Sequence, residues 1–465
     1  MHSTLSAMRT TAIGGIALLA LAGCASTTPG EKGSDDSAPK PNVSCEIADT
    51  NIDSSSVDTS ELEGEITFMT QGLKGTFDPF FENLIADFEA QHDVKVNWTD
   101  QGGSADFDTL MVTQASNCSM ADVINVPSST VMALSAGDFL MDFDTKRPGI
   151  GETFVPKVWD SIGLGHKGAH TALPWYFGPF VTTFNKEIFE QAGLDPEQSP
   201  KTMDDYFDAA DQIAANTDKG AVYGNTSWYM VPQWRSMGVE LMNDDNTEFT
   251  FADDERALEW VTRMADLYEN GGIPKDSITG DLDMSQAFGG GELAFGTPNV
   301  SFLRNVLNNA PAVYDTTGAG PSARDEGIAP LFNGQFIGVP VTTKNAPLAV
   351  AFAEYITSAE QGLAWAKYGI DTESAAVFPV TTEALNDPAL VEGSDEGAFN
   401  EARKIAAEEA KLAEAYIPMF YVTGAVSDAL VNNVNLAIAG QVAPEEALAA
   451  AESEMNSLLK RLLDN

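Results

Sequence analysis

The chain has 465 residues, 43% of them hydrophobic, and carries 69 acidic against 25 basic residues, for a formal charge of −44. That length exceeds one ordinary core and implies two or more domains. The charge excludes binding to nucleic acid phosphates and adsorption on anionic lipid; it reads as a solvated surface that favours solubility.

Arg9 is followed by the apolar run 12–22, which is far shorter than the ~20 residues of a membrane-spanning helix. It reads as the h-region of a signal peptide. It ends in Leu21-Ala22-Gly23-Cys24, which resembles a bacterial lipobox. That pattern implies acylation of Cys24, cleavage before it, and anchoring in the lipid bilayer at the outer face of the bacterial cell membrane. Residues 1–23 are therefore expected to be a lipoprotein signal peptide. Residues 24–61, rich in Ser, Thr, Asp, Pro and Gly, are expected to be a flexible tether. Cys45 and Cys118 remain, and an oxidising exterior favours their pairing, which would staple the tail to the first lobe. Two unpaired thiols are the alternative.

The folded part opens with a strand at 64–70, the loop Gln71–Thr76, a helix from 77 to 91 and a second strand at 93–98. Phe80, Phe81, Leu84, Ile85 and Phe88 recur at helical spacing. This order predicts a parallel pair, and ligands meet such sheets at the C-terminal ends of the strands. The 71–76 loop is thus a binding loop or a plain surface turn. A helix follows at 105–115, a strand at 121–126 and a helix at 128–137. The stretch 172–186 packs Trp175, Tyr176 and Phe177 between Pro174 and Pro179, then continues as a strand. It reads as a crossing between two lobes, with exposed aromatics. A short helix ending at Gly193 and a helix capped by Thr202 come next. The aromatic cluster 228–234, with Trp228 and Trp234, reads as a loop or as core of the second lobe. Helices are expected at 253–270, 300–309, 346–357, 359–368 and 444–463. A strand is expected at 335–340, with further crossings near 328–332 and 377–380.

No catalytic pattern stands out: there is no GxSxG, HExxH or P-loop. His166 and His170 have a metal-pair spacing only if helical, and the glycines around them disfavour a helix. No cofactor or metal is implied. What recurs is polar loops with aromatics: Gln71, Lys74, Asn125, Trp175, Tyr176, Trp228, Trp234, Asn299, Gln335 and Tyr421. Aromatic faces and amides together suit a sugar ring, with hydroxyls on its edge and C–H on its faces. Core aromatics would supply part of the same set.

From Gly64 to Leu462 the chain resembles the extracellular solute-binding proteins of family 1, the sugar receptors of ABC importers. The features that carry this are the lipobox, Phe88-Glu89-Ala90-Gln91, Phe184-Asn185-Lys186 with Ala192-Gly193-Leu194, the 200–205 segment, Gly291-Glu292-Leu293-Ala294-Phe295, and their order. The resemblance implies an α/β, two-lobed periplasmic-binding-protein type II fold with three hinge crossings. Lobe I would comprise 62–178 and 333–378, and lobe II 179–332 and 379–465. It also implies a monomeric, non-enzymatic receptor delivering a carbohydrate, an oligosaccharide, to ABC permease subunits. Lys74 matches a sugar-contacting lysine of the maltose-binding members. Leu73 and Gly178 stand where those members carry acids, Asn299 where they carry a stacking tryptophan, and Phe420 or Tyr421 matches a C-terminal stacking aromatic. Alternatives are a receptor of the same fold for a non-sugar solute, or an anchored extracellular glycosidase.

Overall fold

Burial along β1 (Glu65–Gln71) alternates at first, with Ile66 and Phe68 turned to the core, and from Phe68 to Thr70 both faces of the strand are covered. The Asp78–His92 helix starts with Pro79 in its first turn, buries Phe81, Leu84, Ile85 and Phe88, and stops where Asp93 turns left-handed at φ 54°. That helix carries the chain to β2 (Lys95–Gln101), which pairs in parallel with β1 from Glu65↔Lys95 to Gln71↔Gln101. The computed structural model describes residues 40–103, 107–227, 229–394 and 396–463.

Six strands form the first lobe's sheet in the order β2, β1, β3 (Val123–Pro127), β7 (Phe332–Gly338), β4 (Ala172–Pro179) and β8 (Phe378–Pro379). β3 is parallel to β1. β7 runs antiparallel between β3 and β4, and β8 closes the edge. The Ala346–Ile356 and Ala359–Asp371 helices cover one face through Leu348, Phe352, Ile356 and Trp365.

The second lobe is built on β5 (Val181–Asn185) and β6 (Thr317–Pro321), an antiparallel pair extended by bridges from Phe184 to Phe295 and from Gly220 to Leu293. Around it pack the Met203–Asn216, Glu255–Glu269, Gly424–Ile438 and Pro444–Leu463 helices. Trp234, Phe249, Phe251 and Trp260 fill this core. The chain passes between sheets where β4 meets β5, and again over 322–331 between β6 and β7.

Two expectations are corrected. Residues 40–61 are not a free tether. Cys45 and Cys118 form a disulfide. Asn51 and Ile52 are buried, and Asn51 Nδ2 donates to the carbonyls of Val341 and Thr343 at 2.8 and 2.9 Å. The Lys146 ammonium, 1% exposed, donates to the backbone carbonyls of Thr50, Asp53 and Ser55. Backbone carbonyls supply what composition did not reveal. Residues 379–390, expected in the second lobe, pack on the first. Val155 N–H donates to Val380 O at 2.9 Å, and Leu385 and Leu390 lie in the same core cluster as Trp365. Among the described residues no helix is long and apolar enough to cross a membrane.

Candidate functional site

The C-terminal ends of β1, β2 and β3 converge with the start of β7 and the end of β4. β1 ends at Gln71, and Gly72 and Gly75 then turn at φ 67° and 84°, a conformation glycine adopts without Cβ strain. The loop is pinned to β2: Gly72 N–H donates to Gln101 O at 2.9 Å and Leu73 N–H to Asp100 Oδ1 at 3.0 Å. Lys74 is exposed and sits 4.6 Å from the Trp98 ring centroid, a cation–π distance. Fully buried Asn125 ties three strands together: its Oδ1 accepts from Gln71 N–H at 3.1 Å and its Nδ2 donates to Gln335 Oε1 at 2.9 Å.

Several polar atoms at this rim are not satisfied by protein. Gln101 Oε1 is buried with no hydrogen-bond partner among the described residues. Among the described residues, neither the Gln71 side-chain amide nor the Tyr176 hydroxyl has one. Burial, with the Asp100 carboxylate nearby, pushes the Tyr176 hydroxyl well above its ordinary range. It is therefore a neutral donor at physiological pH. Its ring is held edge-on against Trp365, with centroids 4.7 Å apart.

Across the first crossing, Val181 N–H donates to Pro298 O at 3.2 Å, which fixes the 297–299 loop beside the β4–β5 junction. Here Tyr223, Asn225, Asp283, Ser285, Thr297 and Asn299 line an open recess. Asn299 is exposed and also caps the Val300–Asn309 helix, its Oδ1 accepting from Phe302 N–H at 2.8 Å. A second recess of about 70 Å³, lined by more apolar and aromatic side chains, shares Tyr223 and Met284 with the first.

The structure thus gathers Gln71, Lys74, Asn125, Tyr176 and Gln335 at the first lobe's rim and places Asn299 on the second lobe. Trp175 is not an exposed aromatic. The β4–β7 register slips between Pro174 and Tyr176, and Trp175 is the extra residue of that bulge. It is 2% exposed, packs on Phe68, Phe81 and Trp365, and donates its indole N–H to Ile356 O at 3.1 Å. Trp234 is also core: it lies on the Met230–Ser236 helix, 1% exposed, against Phe251 and Trp260. Tyr421 is half-buried where the second lobe's core meets the far face of the first lobe's sheet. Trp228 and Cys24 lie outside the described residues.

The sequence reading missed Asp100, Gln101, Asn225 and Asp283. Asp100 and Gln101 had a signal, since they end a parallel strand as Gln71 does. Asn225 and Asp283 had none beyond their polarity. His170 stacks on Trp159 at 4.1 Å and its Nδ1 lies 2.8 Å from Asp144 Oδ2, a structural role. Among the described residues no cluster of His, Cys, Asp and Glu is suited to a metal.

The chain is 24% identical over 317 residues to the diacetylchitobiose binding protein DasA of Streptomyces coelicolor, covering 64% of this chain and 71% of that protein. It is 29% identical over 200 residues to the sn-glycerol-3-phosphate-binding periplasmic protein UgpB of Escherichia coli, covering 41% of this chain and 45% of that protein. The solved cyclic alpha-maltosyl-1,6-maltose binding protein of Arthrobacter globiformis superposes with a TM-score of 0.68 at 21% identity, over 85% of this chain and 99% of that one. This likeness places the chain in the two-lobed periplasmic-binding-protein fold. The model of the bacterial extracellular solute-binding protein family matches residues 74–363, so by that match and by its fold the chain belongs to this family.

Proposed function

We propose that the protein is a lipid-anchored receptor of an ABC importer that captures a carbohydrate, an oligosaccharide, between its lobes and passes it to the permease without covalent chemistry. The observation that carries this reading is the set of unpartnered polar groups at the first lobe's rim: Gln71, Gln101 Oε1 and the Tyr176 hydroxyl. Left without a ligand, the buried Gln101 Oε1 costs desolvation energy; a sugar hydroxyl donates and accepts at once, and so suits all three groups. Asn225 and Asn299 on the second lobe offer further amides. A ligand touching both rims favours the closed arrangement by its differential affinity. The names of DasA and of the Arthrobacter protein support the carbohydrate class. The lipobox at Leu21–Cys24 supports the anchor.

A phosphoester is the second reading, favoured by the similarity to UgpB. Among the described residues Lys74 is the cation of the β1–helix loop at this rim, and a phosphate dianion calls for several charge-assisted donors. Calorimetry of the protein from residue 25 onward against mono- and oligosaccharides and sn-glycerol 3-phosphate tests the choice. Saturable one-to-one binding of a sugar is expected, weakened about tenfold in Tyr176→Phe by loss of one hydrogen bond of about 1.4 kcal/mol. Turnover of a glycoside would instead make the protein an enzyme. Binding of the phosphoester with no sugar response would keep the family and discard the carbohydrate.

A further inference from the structure

The apolar recess of the second lobe lies between the first two crossings: Phe180–Thr183 wall one side, and Ser322, Ala323 and Leu331 the other. Met203, Val222, Met284 and Phe295 supply apolar surface, and the Tyr206 and Phe295 rings pack with centroids 4.3 Å apart. Its polar side chains are largely spent on the protein. Thr182 Oγ1 donates to Pro321 O and Thr183 Oγ1 to Thr297 O, each at 3.0 Å. Tyr223 donates to Leu282 O at 2.5 Å, and Tyr229 to Tyr223 O. Gln233 Oε1 already accepts from the Trp260 indole at 2.9 Å.

A sugar hydroxyl entering this recess would give up water and meet donors already in use. An apolar group entering it would give up nothing and bury its surface. The polar recess next to it, around Asn225, Asp283 and Asn299, shares Tyr223 and Met284 with it. One ligand can therefore span both.

The geometry points to a ligand with two ends: a carbohydrate whose hydroxyls lie at the polar rims and whose apolar substituent, an aryl or branched-alkyl aglycone, fills this recess. The inference rests on the carbohydrate reading above and narrows it to glycosides with an apolar aglycone.

The test is calorimetry of the same protein with matched pairs of methyl and 4-nitrophenyl glycosides in the gluco, galacto, xylo and N-acetylglucosamine series, both anomers. At least one aryl glycoside is expected to bind tenfold or more tighter than its methyl partner. Ala323→Leu and, independently, Ser236→Leu, the latter at a residue of the Met230–Ser236 helix that also lines the recess, narrow it; each, shown folded by its melting curve, is expected to remove the aryl advantage and leave methyl glycoside affinity unchanged. Equal affinity within every pair, or an aryl advantage that survives both folded variants, overturns the inference while the carbohydrate reading stands. No response to any glycoside of either kind overturns both.

Discussion

Asn125 shows how one buried side chain shapes a rim. Both ends of its amide are committed, to Gln71 N–H and Gln335 Oε1, and it is fully buried. Asn125→Ala leaves the part-buried Gln71 N–H without its partner and is expected to cost about 1–2 kcal/mol in urea unfolding, with sugar affinity falling because Gln71 and Gln335 lose their alignment. Trp175 acts differently. Its ring sits in the first lobe's core, so Trp175→Ala is expected to cost about 3–5 kcal/mol through a cavity. Trp175→Phe removes the indole N–H bonded to Ile356 O yet keeps most of the packing, and should leave ligand affinity within about twofold while lowering the melting temperature. A tenfold affinity loss in a stably folded Trp175→Phe protein would put this ring back at the ligand.

At the scale of the element, the Met203–Asn216 helix links a local signal to the recess. Thr202 accepts from Asp205 N–H, and the Asp205 carboxylate accepts from Thr202 N–H in return, a reciprocal cap. The first turn so fixed presents Met203 and Tyr206 to the recess wall. Thr202→Ala is expected to cost about 1 kcal/mol of stability. The backbone N–H of Thr202 holds the Asp205 carboxyl below the ordinary carboxylate range. A depressed folded pKa stabilises above the unfolded pKa and loses that contribution as pH falls through the folded one. The stability difference between wild type and Asp205→Asn should therefore be largest near neutrality and shrink on acidification; a difference that grows toward low pH would refute this.

At the scale of the whole molecule, two features set its response to solution conditions. The Cys45–Cys118 bridge closes a loop with a sequence separation of 73 residues. Chain entropy alone assigns it up to about 4 kcal/mol. Reduction, or Cys45→Ser with Cys118→Ser, should lower the melting temperature and expose residues 40–49 to protease, while Lys146 still holds 50–55. Equal protease resistance with and without reductant would show that the bridge does not hold the tail. Buried tyrosines act at the other end of the pH scale. Burial pushes Tyr416 up to about 12 and raises Tyr206 and Tyr229 as well. A raised folded pKa leaves stability intact below about 10, the unfolded value, and erodes it as pH climbs toward the folded one. Melting temperatures should hold level to about pH 10 and fall beyond it, with tyrosinate absorbance rising only on unfolding for these rings.

The chain by itself carried the order of strands and helices, the parallel opening pair, the glycine and threonine caps, the lack of catalytic motifs and the family. These are local periodicities and the succession of elements, which are properties of sequence neighbours. It also placed Lys74 in a loop beyond a strand, while Gln71, read as the first residue of that loop, is the last residue of the strand; strand ends in such sheets are where loops can meet a ligand. Tertiary structure alone decided which aromatics face solvent. A single bulge turned Trp175 into the core while leaving Tyr176 at the rim, and residue type does not encode a one-residue slip. Lys146 became a clip for the tail because three carbonyls from residues 50–55 converge on it, a contact across more than ninety residues. The apolar recess likewise exists only once both crossings and the Met203–Asn216 helix are brought together, because donors such as Thr182 and Thr183 are spent on partners more than a hundred residues away.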